Sequence, residues 1–243
     1  MQLLNSATSS VSVNSHVQQQ MQNPILKGFN SFLAKLAIVK SSVSMLFGDY
    51  SLQTVGELTY GLLATPAYDL VAHHLNQDPA CAALIRDRYI PPAHDLDTLL
   101  TLPPDSLGCI YAAQMKKTGF DPNLHAGMTA KSDAEYVELR LSQTHDLWHI
   151  VTGFDTSLIG EIGLQAFHLP QFPYPLATML VANSLIATTL REPEMLSSLL
   201  AAIAQGFQMG KTAKPLFAQK WEEGWENPLT QWQAELNIQS IWN

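Results

Sequence analysis

The sequence is short of cysteine, of charge and of basic runs. Only Cys81 and Cys109 occur in 243 residues, too few for a disulfide framework and in keeping with a reduced compartment. Charged residues make up 14% of the chain, against about 25% in an ordinary soluble domain. Lys and Arg number 13 against 21 Asp and Glu, a net charge of −8. With no cluster of cations to neutralise a phosphate backbone, a nucleic-acid partner is excluded. Residues 1–26 carry no charge at all. They show neither the basic start and apolar run of a signal peptide nor the arginines of a transit peptide. The expectation is a polar, mobile tail over 1–26, one domain over 27–243, and a cytoplasmic, bacterial protein. GxGxxG and GxSxG are absent, and the run from Gly206 to Thr212 is one residue short of a P-loop. It reads as a helix end.

What is present is helical. The chain is rich in Leu, Ala and Gln, and apolar residues recur at helical spacing in Phe29, Phe32, Leu33, Leu36 and again in Leu58, Leu62, Leu63. Prolines punctuate the pattern, and no alternating strands with hairpin turns appear. The fold class is therefore all-α, a single domain of about eight to ten helices joined by short loops. Charge is also unevenly placed: between Ile162 and Gly210 only Arg191, Glu192 and Glu194 are charged. Prolines interrupt this stretch, which leaves too few residues between Pro175 and Arg191 to span a bilayer. It reads as buried core helices or as the wall of an apolar lipid pocket, with Met179, Leu180, Leu185, Ile186, Leu199 and Ile203 as candidate lipid-binding residues. The same uncharged layer could pair two subunits as a homodimer.

One motif carries chemistry. The segment from Thr144 to His149 lies in a helical pattern that starts near Ser132 or Asp133, with Gly153 placed to end it and Asp155 or Thr156 to cap the next helix. At about 100° per residue, His145, Asp146 and His149 share one helix face. Glu161 follows after eleven residues, about one turn inside the second helix, with Gln165 one turn on. An antiparallel pair would fold Glu161 back over the His-Asp-His face. Two imidazoles and two carboxylates form a ligand set for a divalent cation. Their all-His/carboxylate character leans toward an open, working site rather than a structural one.

The run Glu138–Phe154 (ELRLSQTHDLWHIVTGF), with Gly160, Glu161 and Gln165–Phe167, resembles the Coq-four family of coenzyme Q (ubiquinone) biosynthesis, whose signature is HDxxH followed after eleven residues by Glu. The upstream Leu102–Gly108 (LPPDSLG) resembles the family's turn before the motif. The chain departs from the pattern at Gln143, where a Glu is usual, and at Gln231 and Gln233, where an Arg is expected. The resemblance implies an all-α protein that binds a polyprenylated ring intermediate at the membrane surface as a peripheral protein and organises other quinone-biosynthesis enzymes. It implies a divalent metal held by His145, Asp146, His149 and Glu161, with zinc the first choice and magnesium, iron or manganese as alternatives. It further implies that these four residues serve an oxidative decarboxylation that replaces a ring carboxylate by a hydroxyl. Zinc has no redox chemistry, whereas two His and a carboxylate is also the facial triad of non-haem iron. A polyprenyl tail gains about 0.8 kcal/mol per CH₂ removed from water, so it stays in membrane or in an apolar tunnel.

Two alternatives stand beside this reading. A non-catalytic prenyl-lipid-binding scaffold would keep the metal for stability. A metal-dependent hydrolase would use HDxxH as zincins use HExxH, although Asp is one methylene shorter and reaches a metal-bound water less well. Other signals are weaker. His94 with Asp95 reads as a solvated loop, His73 with His74 as a helix-face pair, and Trp221, Trp225 and Trp232 as core or interface packing.

Overall fold

A computed structural model describes residues 24–241. Among these it contains eleven α-helices, two 3₁₀ turns and no strand, with one isolated antiparallel bridge between Ser106 and Pro228. The all-α, single-domain expectation holds, and the count passes ten only through a four-residue turn. The helices are α1 (Pro24–Leu46), α2 (Leu52–Leu63), α3 (Pro66–Leu75), α4 (Pro79–Asp87), α5 (Leu96–Leu99), α6 (Leu107–Thr118), α7 (Asp133–Thr152), α8 (Leu158–Gln171), α9 (Pro175–Arg191), α10 (Leu196–Thr212) and α11 (Leu229–Glu235). The polar tail expected over 1–26 lies outside the described residues as far as 23. Its last three residues belong to α1, so the helical body starts at Pro24.

Most helix starts are written in local side chains. Ser51, Thr65, Asp78, Asp95, Ser106, Ser132 and Ser157 each accept a backbone N–H of the first turn of the helix they open. Each satisfies one of the donors that a helix start leaves unpaired, and Asp78 and Asp95 satisfy two. α7 begins at Ser132 as expected, but Ser157, not Asp155 or Thr156, caps α8. Pro170, expected as a breaker, lies inside the last turn of α8.

The hub is α7, against which α3, α4, α6, α8 and α11 all pack. Its buried Leu147, Trp148, Ile150 and Val151 anchor the core. α8 presses against α10 at backbone distance. A Cβ on Gly206 would sit 2.0 Å from the Gly163 carbonyl oxygen, and one on Gly210 would sit 2.1 Å from that of Phe167. The near-miss P-loop is therefore a helix end whose glycines serve close packing. α9 covers α8, and the pair α1–α2 lies outermost against α9. The turn of Leu102–Gly108 docks on the C-terminal segment: Leu107 and Gly108 donate backbone hydrogen bonds to the carbonyls of Asn227 and Trp225, both at 2.9 Å.

Phe32, Leu33 and Leu36, which recur at helical spacing, are exposed, and α1 packs inward through Ala34, Ser41 and Met45. Trp221 and Trp232 are buried as expected of packing residues, and His73 and His74 lie exposed in the last turn of α3.

Candidate metal centre

His145 and His149 stand one turn apart on α7, and Glu161 projects from the first turn of α8. Gly153 makes the return between them. It ends α7 with a φ of +86°, and a Cβ there would lie 2.5 Å from Ser240 Oγ. That left-handed cap suits glycine. It also brings the Phe154 carbonyl 2.8 Å from His149 Nδ1. Nδ1 must donate this bond, which leaves the lone pair of Nε2 facing inward.

The three side chains converge. His149 Nε2 is 3.1 Å from Glu161 Oε1, His145 Nε2 is 3.4 Å from Glu161 Oε2, and the two Nε2 atoms are 3.1 Å apart. The rings meet nearly at right angles, 87°. Donors at about 2.0–2.1 Å from one ion are themselves separated by roughly 3.0–3.4 Å, so these spacings suit a shared cation. His149 is buried, while His145 and Glu161 keep about a third of their side chains open, at 33% and 34%. The cluster is thus closed on one side and reachable on the other.

Electrostatics follow from this meeting. Burial works to raise the Glu161 carboxyl, but hydrogen bonds and charge from His145 and His149 drive it far below the usual range. Burial works to lower His145, but Glu161, with Asp146 and Glu138 behind it, raises it above the ordinary imidazole value.

Asp146 does not join the three. The described cluster whose ligand atoms lie within 4.8 Å of one another is His145, His149 and Glu161. The Asp146 charge acts instead on Tyr111 of α6 and on His125 in the loop that follows, besides His145. Glu161 of α8 meets His145 and His149, and Asp146, at about 100° from His145 on the helix, stays outside that meeting.

Sequence reasoning passed over the wall behind the triad. Glu138, two turns before His145 on the same face, is buried and accepts hydrogen bonds from Tyr68 Oη at 2.7 Å and Tyr174 Oη at 2.8 Å. Burial holds its carboxyl above the usual range even though both phenols donate to it. The Tyr174 ring lies 5.3 Å from His168, which stacks on Trp148 at 4.5 Å and 13°. Burial lowers His168 to about 3, so this imidazole is neutral. The spacing of seven residues between Glu138 and His145 was the available signal. Arg140 pairs with Glu222 through two bonds of 2.7 and 3.0 Å, both side chains fully buried, and so ties the C-terminal segment to α7. Gln233, where an Arg was expected, donates to the Val151 carbonyl at 3.0 Å near the end of α7. Gln165 is buried, and its Oε1 has no hydrogen-bond partner. His94 is not a solvated loop residue: its Nδ1 lies 3.1 Å from Tyr111 Oη, and its ring packs edge-on to Tyr111 and Trp225.

The candidate lipid residues divide. Leu180 and Leu199 are core, Met179, Leu185 and Ile203 are half-buried against it, and Ile186 is exposed. None of them lines the open groove between α1 and α2.

The sequence profile of "Coenzyme Q (ubiquinone) biosynthesis protein Coq4" matches residues 28–241, nearly the whole chain. The chain belongs to the Coq4 family. The relative named "Ubiquinone biosynthesis protein COQ4, mitochondrial" in Eremothecium gossypii is 30% identical over 149 residues, 60% of this chain and 46% of that protein. The protein of the same name in Uncinocarpus reesii is 29% identical over 191 residues, 76% of this chain and 66% of its own. This chain thus spans from about half to two thirds of these curated Coq4 relatives. A crystal structure of a Nostoc punctiforme protein named for ubiquinone biosynthesis superposes with a TM-score of 0.77 at 31% identity, covering 86% of this chain and 98% of that one. The expectation of a bacterial, cytoplasmic protein is corrected by these Coq4 matches: the fungal and insect relatives are named mitochondrial proteins.

Proposed function

We propose that this Coq4 protein holds a divalent cation with His145, His149 and Glu161 and uses the site on a polyprenylated ring intermediate of ubiquinone biosynthesis at a membrane surface. The net change would be replacement of the ring carboxylate by a hydroxyl, with carbon dioxide lost and an external oxidant such as molecular oxygen consumed. The observation that carries the reading is the convergence of two Nε2 lone-pair sites and one carboxylate within 3.1–3.4 Å. Two imidazole nitrogens facing each other repel unless a proton or a cation lies between them, so the donor set fits a metal.

When bound, a divalent cation would supply Lewis-acid polarisation of the ring carboxylate and its neighbouring oxygen. The chain's own residues do the rest. The Phe154 carbonyl fixes the orientation of His149. Glu161 offsets positive charge from the N-terminal turn of α8, where a carboxylate is favoured. Trp148, Phe167, His168 and Phe172 form a dry aromatic wall behind the triad, which strengthens every charge interaction on its inner side. Asp146, with His125 and Tyr111, lies on the side toward α6, and we assign it to orienting polar groups of the ring.

Metal analysis of protein purified without chelator tests this: about one equivalent is expected in the parent and less than a tenth in His149→Ala. Turnover of a prenylated hydroxybenzoate under oxygen, compared across zinc, iron and manganese loading, tests the oxidative part. An unchanged metal content in His149→Ala would remove the site.

A further inference from the structure

α1 turns an apolar ridge outward. Phe32, Leu36, Val39 and Val43 are 60%, 52%, 59% and 47% exposed and at helical spacing fall on one stripe, which Phe47, 75% exposed in the turn just past the helix, extends. That stripe lies opposite the face through which Ala34, Ser41 and Met45 pack inward. Such a contiguous exposed apolar surface marks an interaction site. Beside it, Leu33, Leu36 and Ala37 with Gly56 and Tyr60 of α2 line an open groove of about 400 Å³, with the Lys40–Glu57 pair at its edge. No atom lies within 4 Å of a Cβ built on Gly56, so the groove floor is clear.

Charge says what covers the ridge. The sequence of α1 holds three lysines and no acid, in a chain of net charge −8. Lys35 and Lys40, both exposed, flank the stripe on its two sides, Lys40 sharing its charge with Glu57 of α2 at 2.7 Å, and the Arg191 guanidinium lies against Gly48 just beyond the end of the helix. Aromatic and aliphatic side chains in the middle with lysines at both edges is the pattern of a helix lying in a membrane interface. Among the described residues no helix is long and apolar enough to cross a membrane.

We infer that α1, with the α1–α2 groove beside it, is the face by which the protein lies on an anionic bilayer. The inference rests on the proposed function only for the reason a bilayer is needed. α1 packs mainly on α2 and α9 rather than on α7, which carries the histidines, so docking and metal binding can be lost separately.

The test is co-sedimentation of the full chain with vesicles of phosphatidylcholine and phosphatidylglycerol in equal parts, against phosphatidylcholine alone. Preferential, salt-weakened binding to the anionic vesicles is expected. A triple variant, Phe32→Ser with Leu36→Ser and Phe47→Ser, should lose at least about tenfold in partition while keeping the circular dichroism and metal content of the parent. Lys35→Glu should lose less, and Ile90→Ser, an exposed apolar residue away from α1, nothing. A parent that loads metal yet ignores both vesicle types overturns the docking face and leaves the metal centre standing. A triple variant that binds vesicles like the parent also overturns it. So does a lipid-free dimer of the parent that the triple variant converts to monomer, since a second copy would then be the occupant.

Discussion

Glu138 and Glu161 are carboxylates of the same site region, one two turns below His145 and one across from it, and burial acts on both. Glu161 nevertheless falls far below the ordinary carboxylate range, whereas Glu138 is held above it. The difference lies in the partners. Glu161 faces two imidazoles that can carry positive charge, within 3.1 and 3.4 Å. Glu138 faces two phenols, which donate hydrogen bonds but bring no compensating charge. The first carboxylate is prepared to meet a cation, and the second organises a dry wall.

Breaking each carboxylate should therefore have different consequences. The largest effect is expected on metal affinity: Glu161→Gln should lower it by more than about a hundredfold, since ligand loss exceeds the 10–100-fold typical of an outer partner. Glu138→Gln should change it by less than about threefold. Isothermal titration with zinc reads both, and equal losses would erase the distinction.

Next comes stability. Glu138→Leu leaves the Tyr68 and Tyr174 hydroxyls buried without an acceptor and should cost about 2–5 kcal/mol in urea unfolding. Glu138→Gln keeps an acceptor and should cost about 1 kcal/mol. If Leu is tolerated as well as Gln, the phenol network does not organise the wall.

How far these differences could be read in the sequence depended on geometry. The start of α7 at Ser132, its end at Gly153 and the return of Glu161 were legible because caps and spacing are local. The azimuth of Asp146 was legible too, but not which neighbour it faces, because that depends on where α6 and α8 cross α7. The wall residues Tyr68 and Tyr174 lie 70 and 36 residues from Glu138, and nothing local announces such a pairing. Hydropathy fell short twice. It could not separate Leu199, fully in the core, from Ile186 on the surface, and the spacing in α1 did not say which way its stripe faces. A helical stripe looks the same whichever side it buries.

The response to pH sharpens the contrast between charged and neutral imidazoles. His168, neutral when folded and lowered to about 3, takes up a proton more readily once unfolded. Its contribution is whole above about pH 6.5 and is lost at up to about 1.4 kcal/mol per pH unit as pH falls toward 3. His145 has the opposite sign. Raised in the folded protein, it contributes stability below about pH 6.5 that is lost as pH rises through its folded value. Metal reverses that second trend, since only deprotonated imidazoles bind it. Thermal melts with and without zinc should therefore separate increasingly from pH 5 to pH 7.5. Melts that stay parallel would mean that no cation replaces the proton between His145 and His149.

The smallest expected effect is also the one that discriminates most about the ligand set. Asp146→Asn removes a charge that acts on His145, Tyr111 and His125 but lies outside the converging three. Metal affinity should fall by less than about tenfold, because only a distant stabilising charge is lost. Turnover should fall much further if Asp146 orients the ring. A fall in affinity matching that of Glu161→Gln would instead make Asp146 a fourth ligand. Its side chain would then have to reach the cation beside His145, and the contrast would become one of two metal-bound carboxylates against a single structural one.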